Sequence, residues 1–327
     1  MRVRDQRPDQ SEPAVDSPPT LSKIWLTIAF SYYGFMLIAF VFTPDAIAGI
    51  TALPSIAWIT LGLGLIFLTR LSTWKKSGSL LVKLFFVTGI LTAEELYLPL
   101  RWMLHSRTGS SISYISLNCA GGDIRAAREA ASRGAAVVFL QESPGKEELT
   151  ALGKEFGYLT YWGVDGSILT RVSPTVDEVI SDQDFVAIRH GSQVFVSLRL
   201  MPPQFRLDYW SPDFWQSQKE NLVNRRAQLQ NILDRTNEME IRAGDFSSIV
   251  VAGDINAIPS QIRAKDFDLH DLGSSYGVIW GGTAVNEYPL ARIDRIWIKP
   301  DILPEAHRVI TEKTKYSDHR MVVVYKE

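Results

Sequence analysis

The sequence predicts a soluble α/β domain that follows an N-terminal region of apolar helices. Two observations lead to this prediction. Residues 24–100 contain long apolar runs, whereas residues 101–327 have the mixed composition of a soluble domain. After about residue 110, short apolar runs typical of strands alternate with patterns typical of helices. The 327 residues suffice for one ordinary domain and an additional helical region.

The net charge gives no support to nucleic-acid binding, and the cysteine content excludes two kinds of site. The chain has 34 basic and 36 acidic side chains and a formal net charge of -2, so no overall positive field attracts it to nucleic acid. Cys119 is the one cysteine, which excludes an internal disulfide and any zinc site built from several cysteines.

The N-terminal region is predicted to begin with a disordered tail and to continue into the membrane. Residues 1–22 contain three arginines with several Pro, Asp and Ser residues and have almost nothing to bury. The runs over residues 24–42 and 51–69 carry no charged side chain. A membrane-spanning helix needs about 20 such residues, so both runs are predicted to be transmembrane.

A third run, residues 80–100, determines the predicted topology. Glu94 and Glu95 lie within it and make it costlier to insert, so it is interpreted as a third span, with an interfacial helix as the alternative. Basic residues before the first span and over residues 70–76 put both of these segments in the cytoplasm. Three spans within a membrane region of residues 23–104 then predict a multi-pass protein of the cell membrane whose soluble domain is extracytoplasmic.

The soluble domain is predicted over residues 111–327. An Asp123 cap opens the first of its helices. The segment over residues 201–215 is predicted to be a long loop, and the helix that follows it carries Arg225 and Arg226, which are interpreted as a solvated helix face. The predicted strands cover residues 112–117, 136–141, 185–190, 194–200, 249–254, 293–298 and 321–325, and the predicted helices cover residues 122–134, 146–157 and 216–240.

Five short segments each place a polar residue that could bind a metal at the end of a hydrophobic strand. These segments read SLNCAGG, FLQES, VVAGDINAIPS, ARIDRIWI and YSDHRMVVV, and their polar residues are Asn118, Glu142, Asp254, Asn256, Asp294, Asp318 and His319. Strand ends at one edge of a sheet are where a scaffold can hold several groups around one point. Oxygen donors with one imidazole favour Mg²⁺ or Mn²⁺ over zinc or iron.

Each segment alone also has an ordinary structural explanation. Asn118 and the Asp254–Asn256 pair could close turns, and Glu142 could be an exposed loop charge. Asp294 is harder to explain in this way, because an alternating strand would bury its carboxylate and a buried carboxylate needs a partner. The joint occurrence of the five segments in this order favours an active site.

Over about residues 111–327 the five segments resemble the endonuclease/exonuclease/phosphatase superfamily, with GDxN and SDH as the most specific motifs and RID in support. The resemblance implies a four-layered α/β sandwich, in which two mixed β-sheets flanked by helices pack face to face. It also implies a metal-dependent phosphoesterase.

The resemblance also implies roles for individual residues. Glu142 would be the principal Mg²⁺ ligand, with Asn118 and Asp318 completing or adjoining the metal shell. Asp254 would orient or deprotonate the attacking water. Asn256 would hold water and a phosphate oxygen. His319 would contact the scissile phosphate, and Asp294 would fix its tautomer and favour its cationic form.

The strand that reads VFVSLRLMPP departs from the family pattern. Family members usually carry His or Tyr there, and this chain has Arg199. An arginine cannot act as a general acid near neutral pH, but its guanidinium can hold a phosphate oxygen. A structural ion pair is the alternative role for Arg199.

The sequence therefore predicts a membrane-anchored, Mg²⁺-dependent hydrolase of phosphodiesters or phosphomonoesters. Its expected partners are a phosphate-ester substrate, which is either a lipid headgroup or nucleic acid, and the lipid bilayer around the N-terminal helices; no protein partner is inferred. A membrane-tethered endonuclease and a catalytically silent binding module are the alternatives. The silent module is disfavoured because the polar set is intact.

Overall fold

The computed structural model describes residues 20–70, 75–92, 111–172, 176–204, 206, 208–243, 248–277, 281–299 and 307–326. Most of the predicted disordered tail lies outside the described residues; the end of that segment belongs to the first helix, which begins at Thr20. Glu94 and Glu95, on which the third predicted span depends, also lie outside them.

The N-terminal region consists of helices that pack together. They are α1 (Thr20–Phe42), α2 (Ala48–Thr51), α3 (Ser55–Arg70) and α4 (Lys75–Thr92), and a 3-10 turn over Asp45–Ile47 precedes α2. Helices α1, α3 and α4 contact one another in pairs. Among the described helices, one segment, Lys23–Phe42, is long and apolar enough to cross a membrane, and the bent pair Asp45–Thr51 with Ser55–Phe67 gives a second if it counts as one span.

The rest of the chain forms two six-stranded mixed sheets with helices on their outer faces. The first sheet contains β1 (Ser111–Asn118), β2 (Val137–Gln141), β3 (Leu159–Tyr161), β4 (Gly166–Thr170), β11 (His307–Glu312) and β12 (Met321–Lys326), in the order β11-β12-β1-β2-β4-β3. The second contains β5 (Glu178–Ser181), β6 (Phe185–His190), β7 (Gln193–Arg199), β8 (Ser248–Asp254), β9 (His270–Asp271) and β10 (Asp294–Ile298), in the order β5-β6-β7-β8-β10-β9. The helices are α5 (Ile124–Ser132), α6 (Lys146–Phe156), α7 (Pro212–Ala243) and α8 (Leu272–Tyr276).

Three buried clusters show that the domain has four layers. Helices α5 and α6 cover the first sheet through residues such as Ala130 and Leu149. The inner faces of the two sheets meet around Phe139 and Phe195. Helix α7 covers the second sheet through residues such as Leu229. The predicted four-layered α/β sandwich is confirmed.

The structure corrects one predicted boundary. Helix α7 begins at Pro212 rather than at residue 216, so the end of the predicted loop belongs to the helix. Proline suits the first turn of a helix because its missing N–H would be unsatisfied there, and the hydroxyl of Ser211 accepts a hydrogen bond from the N–H of Asp213 (3.2 Å). The predicted cap at Asp123 is confirmed, since its carboxylate accepts from the N–H of Arg125 (2.8 Å).

The helical region contacts the α/β domain through the segment that joins α1 to α3. Asp45 forms an ion pair with Arg226 of α7 (2.6 Å). Ala48 of α2 is buried in the same cluster as apolar residues of β7, β8 and α7. The end of α1 therefore lies against the α/β domain.

Candidate active site

The predicted site residues gather where strands of the two sheets end. Parallel pairing of β1 with β2 brings Asn118 beside the end of β2, and Glu142 is the next residue. In the second sheet, Asp254 at the end of β8 is the cross-strand partner of Asp294 on β10 and is also paired with Arg199 on β7. The register of five strands thus brings together residues that are far apart in the sequence.

Asn118 connects the carboxylates of the two sheets. Its side-chain nitrogen donates to Glu142 Oε1 (3.1 Å) and to Asp254 Oδ2 (3.1 Å). Its side-chain oxygen accepts from the N–H of Ala120 (2.9 Å), which fixes the orientation of the amide. The N–H of Gly121 donates to Glu142 Oε2 (2.6 Å). Asn118 itself is completely buried, so this network is held rigidly.

The turn after β8 positions Asn256 next to Asp254. Asp254 Oδ1 accepts from the N–H of Asn256 (2.9 Å), as in an Asx turn. The φ angle of Asn256 is 52°, in the left-handed region that Asn tolerates better than most residues. Its side-chain nitrogen donates to the carbonyl of Leu200 (2.8 Å), so one of its two amide hydrogens is engaged there.

His319 and Asp294 form a buried pair. His319 Nδ1 lies 2.8 Å from Asp294 Oδ2, and their side chains are 12% and 0% exposed. The N–H of His319 donates to the hydroxyl of Ser317 (2.9 Å), which in turn donates to the carbonyl of Asn118 (2.7 Å). The SDH segment is thereby attached to the end of β1. Asp294 Oδ1 is buried and makes no hydrogen bond to the described residues.

The electrostatics of this cluster favour a cationic imidazole. Burial lowers the pKa of His319, but the carboxylates of Asp294 and Asp254 more than offset this effect and raise the pKa to about 10. Burial raises the pKa of Asp254, and repulsion from Asp294 raises it further, to about 7, although His319 opposes the change. The site therefore holds an imidazolium next to a carboxyl group that titrates near neutral pH.

Arg199 binds two carboxylates at the edge of the site. Its Nη2 lies 2.8 Å from Glu142 Oε1, and its Nη1 lies 3.5 Å from Asp165. Burial raises the pKa of Glu142, but the hydrogen bond from Asn118 and the charge of Arg199 lower it by more, so that it lies below its ordinary value. Burial raises the pKa of Asp165, although Arg199 opposes this. The guanidinium of Arg199 thus forms the ion pair that was the alternative prediction, and through Glu142 it lies within the candidate site.

The site has the donor atoms that a divalent cation requires. Asp254, Asp294 and His319 have ligand atoms within 4.8 Å of one another, and the two carboxylates of this group could bind a metal ion, whereas a cationic His319 has no lone pair to offer. The unpartnered Asp294 Oδ1 and the close carboxylates fit a hard cation, which would reduce their repulsion. Of the predicted ligands, Asn118 and Glu142 are in direct contact, as described above. The third, Asp318, is exposed, and its side chain makes no hydrogen bond or ion pair with the part of the chain that the structure describes.

Sequence comparison identifies the protein's relatives. Residues 115–319, more than half of the chain, match the Endonuclease/Exonuclease/phosphatase family. The chain belongs to this family. Its members are phosphoesterase and nuclease hydrolases that depend on a metal, so the chain is a hydrolase of ester bonds. No curated protein matches the sequence.

Several solved structures have a similar fold. Truncated TDP2 from Caenorhabditis elegans is 17% identical and has a TM-score of 0.48, with coverage of 65% of this chain and 96% of that one. The beta toxin from Staphylococcus aureus is 12% identical, has a TM-score of 0.49, and is matched over 66% of this chain and 100% of its own. The 3′ phosphatase NExo from Neisseria, bound to a product DNA hairpin, is 14% identical with a TM-score of 0.48 and the same coverage.

Some residues of the site carried no sequence signal. Asp165 lies in a turn before the short strand β4, and the sequence does not show that it faces Arg199. Thr283 accepts from the N–H groups of Ile293 and Asp294 (3.1 Å each), which fixes the start of β10. Arg225, interpreted as part of a solvated face, is instead completely buried, and its guanidinium donates to the carbonyl of Asn256.

Proposed function

We propose that the protein is a membrane-anchored, Mg²⁺-dependent phosphoesterase that hydrolyses a phosphodiester or phosphomonoester by attack of water. The catalytic domain is assigned to residues 111–327 and the membrane region to residues 23–104. The buried cluster of Asp254, Asp294 and His319 carries this proposal, because it combines a fixed cation with a carboxyl group that titrates near neutral pH.

The proposed reaction assigns each polar residue one task. The imidazolium of His319 binds a phosphate oxygen and stabilises the charge that develops there. Asp294 holds the Nδ1–H side of the ring, so Nε2 points to substrate. Asp254 accepts the proton of the attacking water, whose oxygen bonds to phosphorus as the bond from phosphorus to the leaving-group oxygen breaks; solvent water protonates the leaving group. The second amide hydrogen of Asn256, which is not used by Leu200, binds that water or a phosphate oxygen. Arg199 holds another phosphate oxygen with its fork.

Glu142, Asn118 and Asp318 are proposed to hold the cation. A divalent ion supplies charge neutralisation at the phosphate. The oxygen donors of these residues suit Mg²⁺, and Mn²⁺ has similar preferences. Glu142 accepts hydrogen bonds from Asn118 and Gly121, which hold both carboxylate oxygens at the end of the strand.

Exposed apolar side chains on α1, α3 and α4 support a membrane anchor. Soluble proteins rarely expose this many large apolar side chains on three helices that contact one another. The exposed residues are Ile24, Ile28, Phe35, Ile38, Val41, Phe42, Leu61, Leu63, Phe67, Leu80, Phe86, Val87 and Leu91. Lipid would cover these side chains at no hydrophobic cost.

The contact between the α/β domain and the end of α1 favours an extracytoplasmic catalytic domain. The basic residues near the N-terminus put the start of α1 in the cytoplasm. If α1 crosses the membrane, the segment Asp45–Thr51 lies on the other side, and so does the α/β domain that this segment contacts. Helix α4 must cross again to reach that domain, so this topology requires three spans.

A lipid or lipid-derived headgroup is the proposed substrate class. The anchor holds the site next to the bilayer, and the net charge of -2 gives no general attraction to a nucleic acid backbone. Hydrolysis of DNA rather than lipid would identify the membrane-tethered endonuclease instead.

The full-length protein in lipid nanodiscs tests this proposal. With Mg²⁺ we expect turnover of bis(p-nitrophenyl) phosphate, loss of turnover on adding EDTA, and inactive Glu142→Gln and His319→Ala variants. Arg128→Ala, which removes an exposed ion pair with Glu155, is the matched control that should retain activity. Phospholipids and DNA with a 3′ phosphate are then compared at equal concentration. Full turnover by His319→Ala would contradict the enzyme as proposed, and an inactive wild type would indicate the silent binding module.

A further inference from the structure

The segment Asp45–Thr51 binds the loop that carries Asn256. Gln261, in this loop, donates from its side-chain amide to the carbonyl of Ala48 (3.2 Å) and to the hydroxyl of Thr51 (3.3 Å). Gln261 is 2% exposed, so its amide has been removed from water and depends on these partners. The contact between the segment Asp45–Thr51 and the loop is therefore a specific one, made through buried hydrogen bonds.

Arg226 binds the segment and the loop at the same time. Its Nη1 pairs with Asp45 Oδ1 (2.6 Å), and its Nη2 donates to the backbone carbonyl of Gln261 (2.8 Å). A guanidinium has a rigid fork, so fixing one arm orients the other. By binding Nη1, Asp45 thus orients the Nη2 group of Arg226, which donates to the loop.

The rest of the loop is held in the same manner by buried cations. Arg225 donates to the carbonyl of Asn256. Arg295 donates to the carbonyls of Ala257 and Ile262 (2.7 Å each). The backbone carbonyls of residues 255–262 therefore accept hydrogen bonds from several arginine side chains. Of these arginines, Arg226 also binds the helical region, through Asp45.

Apolar packing reinforces the docking. Ile258, from the loop, is buried in a cluster with Met36, Phe40 and Ile50 of the helical region. Gly49 lies so close to the ring of Phe214 that an added Cβ would stand 2.5 Å from Cε1. The two surfaces thus fit closely around the polar contacts.

We propose that Asp45 and Gln261 are positioning residues for hydrolysis: they hold the loop over residues 255–262 and so fix Asn256 next to Asp254. This inference rests on the proposed function. The segment from the helical region would then be a structural part of the active site, and the anchor would do more than hold the domain at the membrane. A displacement of about 1 Å at a reacting group can cost about 100-fold in rate.

The test uses the full-length protein in nanodiscs and two independent readouts. In Asp45→Ala and Gln261→Ala we expect faster amide hydrogen exchange over residues 255–262. We also expect kcat for a small soluble phosphodiester to fall about 10- to 100-fold with KM nearly unchanged. Asp45→Glu, which preserves the ion pair, should restore most of the rate. The matched control is Arg235→Ala, on the same helix α7, which removes an exposed ion pair with Asp182.

The two readouts separate the inference from the proposed function. Unchanged exchange over residues 255–262 would overturn the docking role of Asp45 and Gln261, whatever the activity. Faster exchange with unchanged kcat would overturn their role in positioning. A wild-type protein without turnover would contradict the proposed function, and the exchange measurement would still decide whether the segment holds the loop.

Discussion

In the proposed reaction, Asp294 acts through the ring of His319. A carboxylate 2.8 Å from Nδ1 favours the cationic imidazole, and an amide in its place would not. We expect Asp294→Asn to lower kcat by about 100- to 1000-fold with little change in KM, because the lost interaction is strongest in the transition state. Steady-state kinetics with Mg²⁺ and a chromogenic diester measure this. Asp266→Asn, which breaks an exposed pair with Arg263, is the control, and an equal loss in both variants would contradict the assignment.

In the proposed reaction, the pH dependence of the rate follows from the roles of two groups in this cluster. Asp254 has a raised pKa of about 7 and must be deprotonated to accept a proton, so activity is lost as the pH falls through that value. His319 has a raised pKa of about 10 and must be protonated, so activity is lost as the pH rises through that value. We expect kcat/KM to be bell-shaped between these limits. A higher Mg²⁺ concentration should move the acid limb to lower pH. A rate that does not fall below pH 7 would refute the role of Asp254, and a rate that does not fall above pH 10 would refute the role of His319.

Arg199 and a metal ion would compete for Glu142. The guanidinium lies 2.8 Å from this carboxylate and already neutralises part of its charge. We expect Arg199→Gln to bind Mg²⁺ more tightly in isothermal titration calorimetry, while KM for an anionic substrate rises about tenfold, as loss of one charged hydrogen bond predicts. Arg189→Gln, at a partly buried ion pair distant from the site, is the control. Weaker Mg²⁺ binding in Arg199→Gln would contradict this competition.

At the scale of elements, close pairing of β7 and β8 fixes the position of Asp254. Gly253 lies so near β7 that an added Cβ would be 1.8 Å from the carbonyl oxygen of Leu198, and backbone atoms cannot move aside. We expect Gly253→Ala to destabilise the protein by about 3 kcal/mol and to lower its melting temperature by roughly 6–12 °C. Gly64→Ala is the control, because nothing lies within 4 Å of the added Cβ. Equal melting temperatures would show that β8 can shift away from β7.

Strands rich in apolar residues could be predicted from the sequence, and strands with few apolar residues could not. The predicted strands match β1, β2, β6, β7, β8, β10 and β12 to within one or two residues at each end. The strands β3, β4, β5, β9 and β11 were missed, since each contains at most two apolar residues, whereas each matched strand contains at least three. Strand β4, for example, is buried throughout although it contains Ser167 and Thr170. Local pattern carries little information about such strands.

The same limit applies to the site. Asp254, Asp294 and His319 stand in recognisable motifs at strand ends, and the structure brings them within 4.8 Å of one another. Arg225 stands in an ordinary polar helix, and only the tertiary contact with the carbonyl of Asn256 explains why this charge is buried. Asp165 likewise depends on the pairing that places Arg199 opposite its turn. Sequence motifs therefore predict the residues at the centre of the candidate site, whereas the residues that contact them from outside the motifs are found only from the tertiary packing.

At the scale of the whole molecule, the proposed topology depends on the contact of Asp45–Thr51 with α7. In the proposed topology the contact would put the end of α1 and the α/β domain on one side of the membrane, and the charge distribution would put the N-terminus on the other. A cytoplasmic catalytic domain would require the segment Asp45–Thr51 to be cytoplasmic too, against the basic residues that precede α1 and follow α3.

Cysteine labelling of intact cells tests this arrangement. Native Cys119 is buried and should remain unreactive. We expect Val164→Cys, at a position that is 52% exposed on the α/β domain, to react with a membrane-impermeant maleimide from outside the cell. Ser72→Cys should react only after the membrane is permeabilised, because the proposed three spans would put residue 72 in the cytoplasm. Labelling of Ser72→Cys but not Val164→Cys in intact cells would reverse the orientation, and the substrate would then have to be sought on the cytoplasmic face.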